Sequence, residues 1–226
     1  MSRGVKFGMR CACEPVKYGG TVPVSDSSAI PPMATDRLVE RISRCVVGLA
    51  LFGIGISLII DARIGVPPWD VFHQGVAERI DRSIGTVIIA TGAALMLLWI
   101  PLRQKPGIGT VLNAIEIGLV ANVAIALLPQ PESVFVQVPM MLSGVVVVAI
   151  GSGLYIGSGL GPGPRDGLMT GLARRGVPLR VARTGIEITV LIVGWFLGGQ
   201  VGVGTVAFAV LIGPLVQLVL PRLSMK

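Results

Sequence analysis

The apolar part of this chain is written twice, about 96 residues apart. Gly65-Val66-Pro67-Pro68-Trp69-Asp70 returns as Gly161-Pro162-Gly163-Pro164-Arg165-Asp166, Gly75 as Gly171 and Trp99 as Trp195. Gly107-Ile108-Gly109-Thr110 returns one residue early as Gly202-Val203-Gly204-Thr205, and Gly118 as Gly213. Duplication within a hydrophobic chain is how many membrane transport folds are built. The halves it delimits are residues 37–130 and 131–226, together one membrane domain.

Hydrophobic residues make up 52% of the chain and charged residues 14%, against roughly 25% charged in a soluble domain. Mean hydropathy is +0.80. Too few polar residues separate the apolar stretches to build a hydrated shell. The expected spans are Cys45–Ile60, Ile84–Pro101, Ile108–Leu128, Val138–Gly157, Val181–Gly198 and Val201–Leu220. Each is near the roughly 17–25 residues that cross the hydrocarbon core as a helix. Nothing alternates with the period of two that a barrel strand needs. The expected fold is an all-α, polytopic membrane protein of six transmembrane helices.

The net charge of +7 is a topology signal, not a nucleic-acid footprint. Arg37, Arg41 and Arg44 precede the first span, Arg103 and Lys105 follow the second, and Arg222 and Lys226 follow the sixth. Arg165, Arg174, Arg175, Arg180 and Arg183 follow the fourth. The opposite loops hold only Arg63, Arg79 and Arg82. This bias places both termini in the cytoplasm, with the basic loops against anionic lipid headgroups. Residues 1–36 read as a disordered cytoplasmic tail without the apolar core of a signal peptide, and Met33 is an alternative start. Cys11, Cys13 and Cys45 lack the partners of a metal site and read as free thiols, so no metal and no cofactor is expected.

The motif segments 67–80 and 163–176 carry too much charge to cross the bilayer, where each charge costs roughly 2.5–3.5 kcal/mol. Three spans per half then turn the second copy upside down, a 3+3 inverted-topology repeat. Loop charge agrees: residues 61–82 hold three basic and four acidic groups, residues 161–183 five and one. Each motif also has the grammar of a helix start, with Asp70 and Asp166 two residues after Pro68 and Pro164. There the carboxylates are expected to cap free backbone N–H groups at the positive end of the helix dipole. The segments are either short half-helices dipping into the bilayer or amphipathic helices in the interface.

Gly161 to Met169, Arg183-Thr184-Gly185-Ile186-Glu187, Gly194-Trp195 and Gly202 to Thr205 resemble the YczE-like integral membrane proteins, often grouped with the YitT and YyaS proteins of bacteria. Pro68-Trp69-Asp70 and Pro106 to Thr110 match in the first half, and the resemblance covers residues 42–221. It implies a bacterial inner-membrane protein and carries over no site residues.

Candidate solute- or ion-binding residues therefore come from the physics of charge in lipid. Glu116, with Asn113 one turn earlier, and Glu187, four residues after Arg183, lie inside expected spans. Asp70, Asp166, Arg165 and the single histidine, His73, lie on the motif segments. Glu187 reads equally as half of a salt bridge to Arg183, and His73 as a packing residue. Glycines at four-residue spacing (Gly153/Gly157/Gly161, Gly167/Gly171, Gly194/Gly198) suit close helix contact within one chain or in a homodimer. Neither a phosphate loop nor a Ser-His-Asp set can be assembled, so no enzyme is expected. The functional expectation is a secondary transporter of a small solute or cation, with a non-transporting accessory protein as the alternative. A transporter requires a polar cavity between the halves lined by Asp70, Asp166 and Glu116; an accessory protein requires a closed, glycine-packed core.

Overall fold

Proline, glycine and left-handed residues punctuate the chain into eight helices in a computed structural model that describes residues 37–225. They are α1 (Leu38–Asp61), α2 (Pro68–Ile80), α3 (Ile84–Leu102), α4 (Ile108–Leu127), α5 (Val134–Gly157), α6 (Pro164–Ala173), α7 (Leu179–Phe196) and α8 (Val203–Leu223). No strand occurs among the described residues. The tail, with Cys11, Cys13 and Met33, lies outside them. Proline opens both short helices, α2 and α6, at N1 or N2. Asp81 ends α2 and Arg103 ends α3 in the left-handed region, with φ of 50° and 53°.

Five helices (α1, α3, α4, α5 and α8) are long and apolar enough to cross a membrane. The fifth expected span, Val181–Gly198, does not join them on length and composition. Pro178 starts α7 at Leu179, so the 18-residue helix takes in Arg180 and Arg183 as well as Glu187. The apolar side chains left outside mark the lipid-facing surface: Leu97, Ile100, Val123, Phe196, Val206 and Val210 are all exposed.

Glycine sets the central contact. Helices α1 and α5 cross antiparallel, Gly48 against Gly151 and Gly55 against Gly144. A Cβ on Gly48 would stand 2.8 Å from the Gly151 carbonyl oxygen, and one on Gly151 2.6 Å from that of Gly48. The Gly55–Gly144 pair is as close, at 2.8 and 2.7 Å. With lipid outside as apolar as leucine, such backbone-to-backbone packing holds membrane helices together. Helix α4 packs on α1, and α8 on α5. Helix α3 packs along α4 through Gly85–Gly118 and Gly92–Ala114, but α7 does not pack along α8. Residues 96 after Gly85 and Gly92 are Val181 and Ile188, too bulky for the same close approach. The four-residue glycine faces are used within this chain: Gly153 and Gly157 meet Val219 and Leu223 of α8, Gly167 meets Trp99, and Gly194 meets Phe72. They are not free for the homodimer that their spacing also allowed.

Helix α2 packs against α7 and α3, and α6 against α3 and α7, so both lie among the other helices. The loop before each is held by a span from the other half. The Gly204 N–H donates to the Ile64 carbonyl at 2.9 Å, and the Gly109 N–H to that of Leu160 at 3.0 Å. The Thr110 hydroxyl donates to the Pro162 carbonyl at 2.7 Å. Gly65 and Gly161, at φ of 116° and 128°, allow these turns. The two tryptophans of the repeat part company. Trp99 is 1% exposed, lies flat against Gly167 and donates its indole N–H to the Pro164 carbonyl at 3.0 Å. Trp195 is 61% exposed. The residue 96 before Gly167 is Val71, whose side chain and carbonyl already fill the space against Gly199.

Candidate functional site

The N-terminal ends of α2 and α6 meet. The Arg165 guanidinium lies 5.0 Å over the Trp69 ring, although the two residues come from opposite halves of the repeat. Its Nη2 stands 4.0 Å from Asp70 Oδ1, which also receives His73 Nδ1 at 3.1 Å. Asp70 and His73 are each 1% exposed. A buried carboxylate persists only when paired and hydrogen-bonded, and this one has the imidazole on one side and the guanidinium on the other.

Burial pushes the His73 imidazole below its usual range, and Arg165 adds to this; the hydrogen bond to Asp70 and its charge oppose it. His73 is therefore the neutral donor of the pair at neutral pH. A histidine held neutral in the folded state supports stability fully above its ordinary value of 6.5 and loses that support as pH falls below it, because the unfolded chain then takes up the proton first. Thermal unfolding in detergent should show Tm falling as pH drops below that value, with a smaller fall in His73→Asn. Equal acid sensitivity in the two proteins would remove His73 from this role.

Neither carboxylate is a helix cap. Asp70 and Asp166 are third residues of their helices, and no side chain caps either N-terminus. The Pro67 carbonyl already takes the N–H groups of Asp70 and Val71 at 2.8 and 2.9 Å, and that of Gly163 takes the Gly167 N–H at 2.9 Å. With proline removing another donor, Asp70 turns along its helix to His73. Asp166 turns outward and is exposed. What it faces is a cavity walled by protein, so burial still raises its carboxyl above the usual range, against the pull of Arg165 and Arg183 and with a push from Glu187.

That cavity, about 540 Å³, is lined by residues from all eight helices. Of the expected site residues it gathers Asp70, His73, Asn113, Arg165, Asp166, Arg183 and Glu187. Arg183 and Glu187 form an ion pair at 3.1 Å on α7, and Phe208 to Gln217 of α8 supply the facing wall. A Cβ added to Gly213 on that wall would meet nothing within 4 Å, so the α8 wall stands off its neighbours there. Glu116 is not among the lining residues. The lining face of α4 runs through Asn113, Ala114 and Ile117, which puts Glu116 roughly 100° round the helix from it. There it is half-buried.

Two lining residues went unread in the sequence. Tyr155 is 3% exposed, and its hydroxyl makes no hydrogen bond of normal geometry, although the Gly163 backbone lies beside it. A Cβ on Gly163 would stand 2.9 Å from that hydroxyl, 3.4 Å from Asn113 Nδ2 and 3.5 Å from Asp166 Oδ2, so three polar groups from α4, α5 and α6 converge on one point. Trp69, whose indole N–H is buried without a partner, is the other. The available signal for Tyr155 was a phenol tip in a glycine-rich apolar helix, where such a tip normally has a partner.

Residues 39–221 match a family of unknown function, DUF6198. A Haemophilus influenzae relative, named only as an uncharacterized protein, is 39% identical over 182 residues, covering 80% of this chain and 84% of its own. The uncharacterized membrane protein YczE of Bacillus subtilis is 32% identical over 188 residues, covering 82% and 87%. The uncharacterized protein YyaS of the same organism is 22% identical over 182 residues, covering 77% and 90%. No solved structure matches the chain.

Proposed function

The chain belongs to the DUF6198 family of YczE-like membrane proteins, and we propose that it is a small-solute permease of the bacterial inner membrane, built from two inverted halves of three spans each. The observation that carries this reading is the cavity at the junction of the halves, to which every helix contributes. It weighs against the accessory-protein alternative, which needs a closed core.

The contacts support the inversion. Gly48 and Gly55 correspond to Gly144 and Gly151 at the 96-residue spacing, yet Gly48 meets Gly151 and Gly55 meets Gly144. Such crossed pairing is what a two-fold axis produces between equivalent surfaces. The Ile64–Gly204 and Leu160–Gly109 hydrogen bonds are likewise exchanged partners, and Trp69 and Arg165, which stack, are equivalents of each other. Helix α7 completes the six spans, with its Arg183–Glu187 pair turned to the cavity instead of lipid. The halves differ where α3 closes on α4 and α7 stands off α8. An inverted repeat whose halves adopt two conformations exposes its site to one side, and exchanging those conformations exposes it to the other.

With both termini cytoplasmic, the open gap faces inward. Single cysteines at Ser83 and Gly213, with Cys11, Cys13 and Cys45 replaced by serine, test this with an impermeant thiol reagent. Ser83→Cys should label from outside, and Gly213→Cys should label mainly from the cytoplasmic face of inverted vesicles. Labelling of Gly213→Cys mainly from outside would reverse the orientation, and no labelling from either side would leave the accessory reading in its place.

A further inference from the structure

Resting on the permease reading, we infer that the cavity binds a monovalent organic cation, a primary amine with an apolar body, whose ammonium sits between Asp166 and the Tyr155 hydroxyl.

Charge decides the class. The charged cavity residues are Asp70, Asp166 and Glu187 against Arg165 and Arg183. Arg165 stands against Asp70 and Arg183 is paired with Glu187; both arginines also act on Asp166, but the lining as a whole carries one negative charge in excess. An anion would double the imbalance and a zwitterion would leave it unchanged. A monocation cancels it.

Position decides the contact. Asp166 opens on the cavity, whereas Asp70 is sealed behind its imidazole and guanidinium partners. Asp166 Oδ2 and the buried Tyr155 hydroxyl lie beside the same residue, 3.5 and 2.9 Å from where a Cβ on Gly163 would stand. An ammonium has three donors and no acceptor, and these oxygens are suited to receive two of them. Size and wall chemistry then favour an organic body over a bare ion. The cavity is about 540 Å³, with Phe52, Ile88, Ile117, Phe208 and Ile212 in its walls. Among the described residues, no group of three His, Cys, Asp or Glu side chains comes together to hold a metal.

Matched probes test the class on purified full-length protein by calorimetry and ligand-induced thermal shift. The probes are isopentylamine, 4-methylpentanoate, L-leucine and 3-methylbutan-1-ol, which share one branched body, together with phenethylamine, 3-phenylpropanoate and sodium chloride. An amine should bind at least about tenfold tighter than the acid, zwitterion or alcohol of like body. Asp166→Asn should remove that preference. Tyr155→Phe should weaken amine binding several-fold while the binding of the alcohol of like body stays unchanged. The inference is overturned if the acid, leucine or sodium matches the amine, if no amine binds, or if Asp166→Asn binds amine as the parent does. The two readings separate cleanly. Labelling of Gly213→Cys from the cytoplasmic face without amine binding keeps the permease and rejects the amine; amine binding with no labelling of Gly213→Cys from either side does the reverse.

Discussion

Gly151→Leu is expected to yield no folded protein, while Gly213→Ala gives a Tm equal to or above the parent's. Both glycines lie within membrane-spanning helices, and helix propensity alone would favour both changes, by up to about 1 kcal/mol for alanine. Packing separates them. At Gly151 a new Cβ meets the Gly48 carbonyl at 2.6 Å and the Phe52 backbone nitrogen at 2.7 Å. Neither is the movable end of a side chain, so the helices must part, and overpacking of this kind costs roughly 1–3 kcal/mol or more. At Gly213 the same Cβ enters open space. Expression with size-exclusion profiles and thermal unfolding in detergent measure both. Tolerance of leucine at Gly151 would mean that α1 and α5 are not in this contact.

Asp70 and Asp166 occupy the same place in the repeated motif, yet Asp70→Leu should be costly and Asp166→Leu nearly silent for stability. Removing the Asp70 carboxylate leaves the buried His73 N–H and the Arg165 charge without their acceptor. Breaking a buried charged pair from one side costs roughly 3–5 kcal/mol, a Tm loss of roughly 6–20 °C in a domain of this size. Asp70→Asn keeps an acceptor for the imidazole and should lose less. Asp166→Leu removes a carboxylate that faces the cavity and leaves no buried donor stranded. Thermal unfolding of the three variants decides it, and equal losses at the two aspartates would show that both are structural.

The contrast marks how far the sequence could be read. Glycine and proline positions carry backbone information, so the motif helices, their proline starts and the helical stretches were legible, and α6 begins at Pro164 as its motif required. The polar residues that gather in the cavity were nearly all legible too, because charge is rare in such a chain and costly in lipid. Rotation about a helix axis was not. Asn113 and Glu116 lie one turn apart on α4, yet only the first lines the cavity. The role of Asp70 turned on which neighbour satisfies the first-turn N–H groups, and the Pro67 carbonyl does so with no mark in the sequence. Trp195 escaped because a tryptophan's burial depends on what faces it, and Gly167, which receives Trp99, has Val71 as its counterpart in the other half. The fifth span was drawn from Val181, and its charged first turn came to light only where Pro178 begins the helix.

The central claim is that the two halves exchange conformations around one cavity. Paired spin labels at Ser83 and Val123 span α3 and α4, and the residues about 96 further on, Leu179 and Leu218, span α7 and α8; all four positions are exposed. Distance distributions in lipid should show two populations at each pair, with the long distance at one accompanying the short distance at the other. Adding an amine that binds should shift both pairs in opposite directions. A single, unchanging distance across α3 and α4, whatever the gap between α7 and α8 does, would contradict the account.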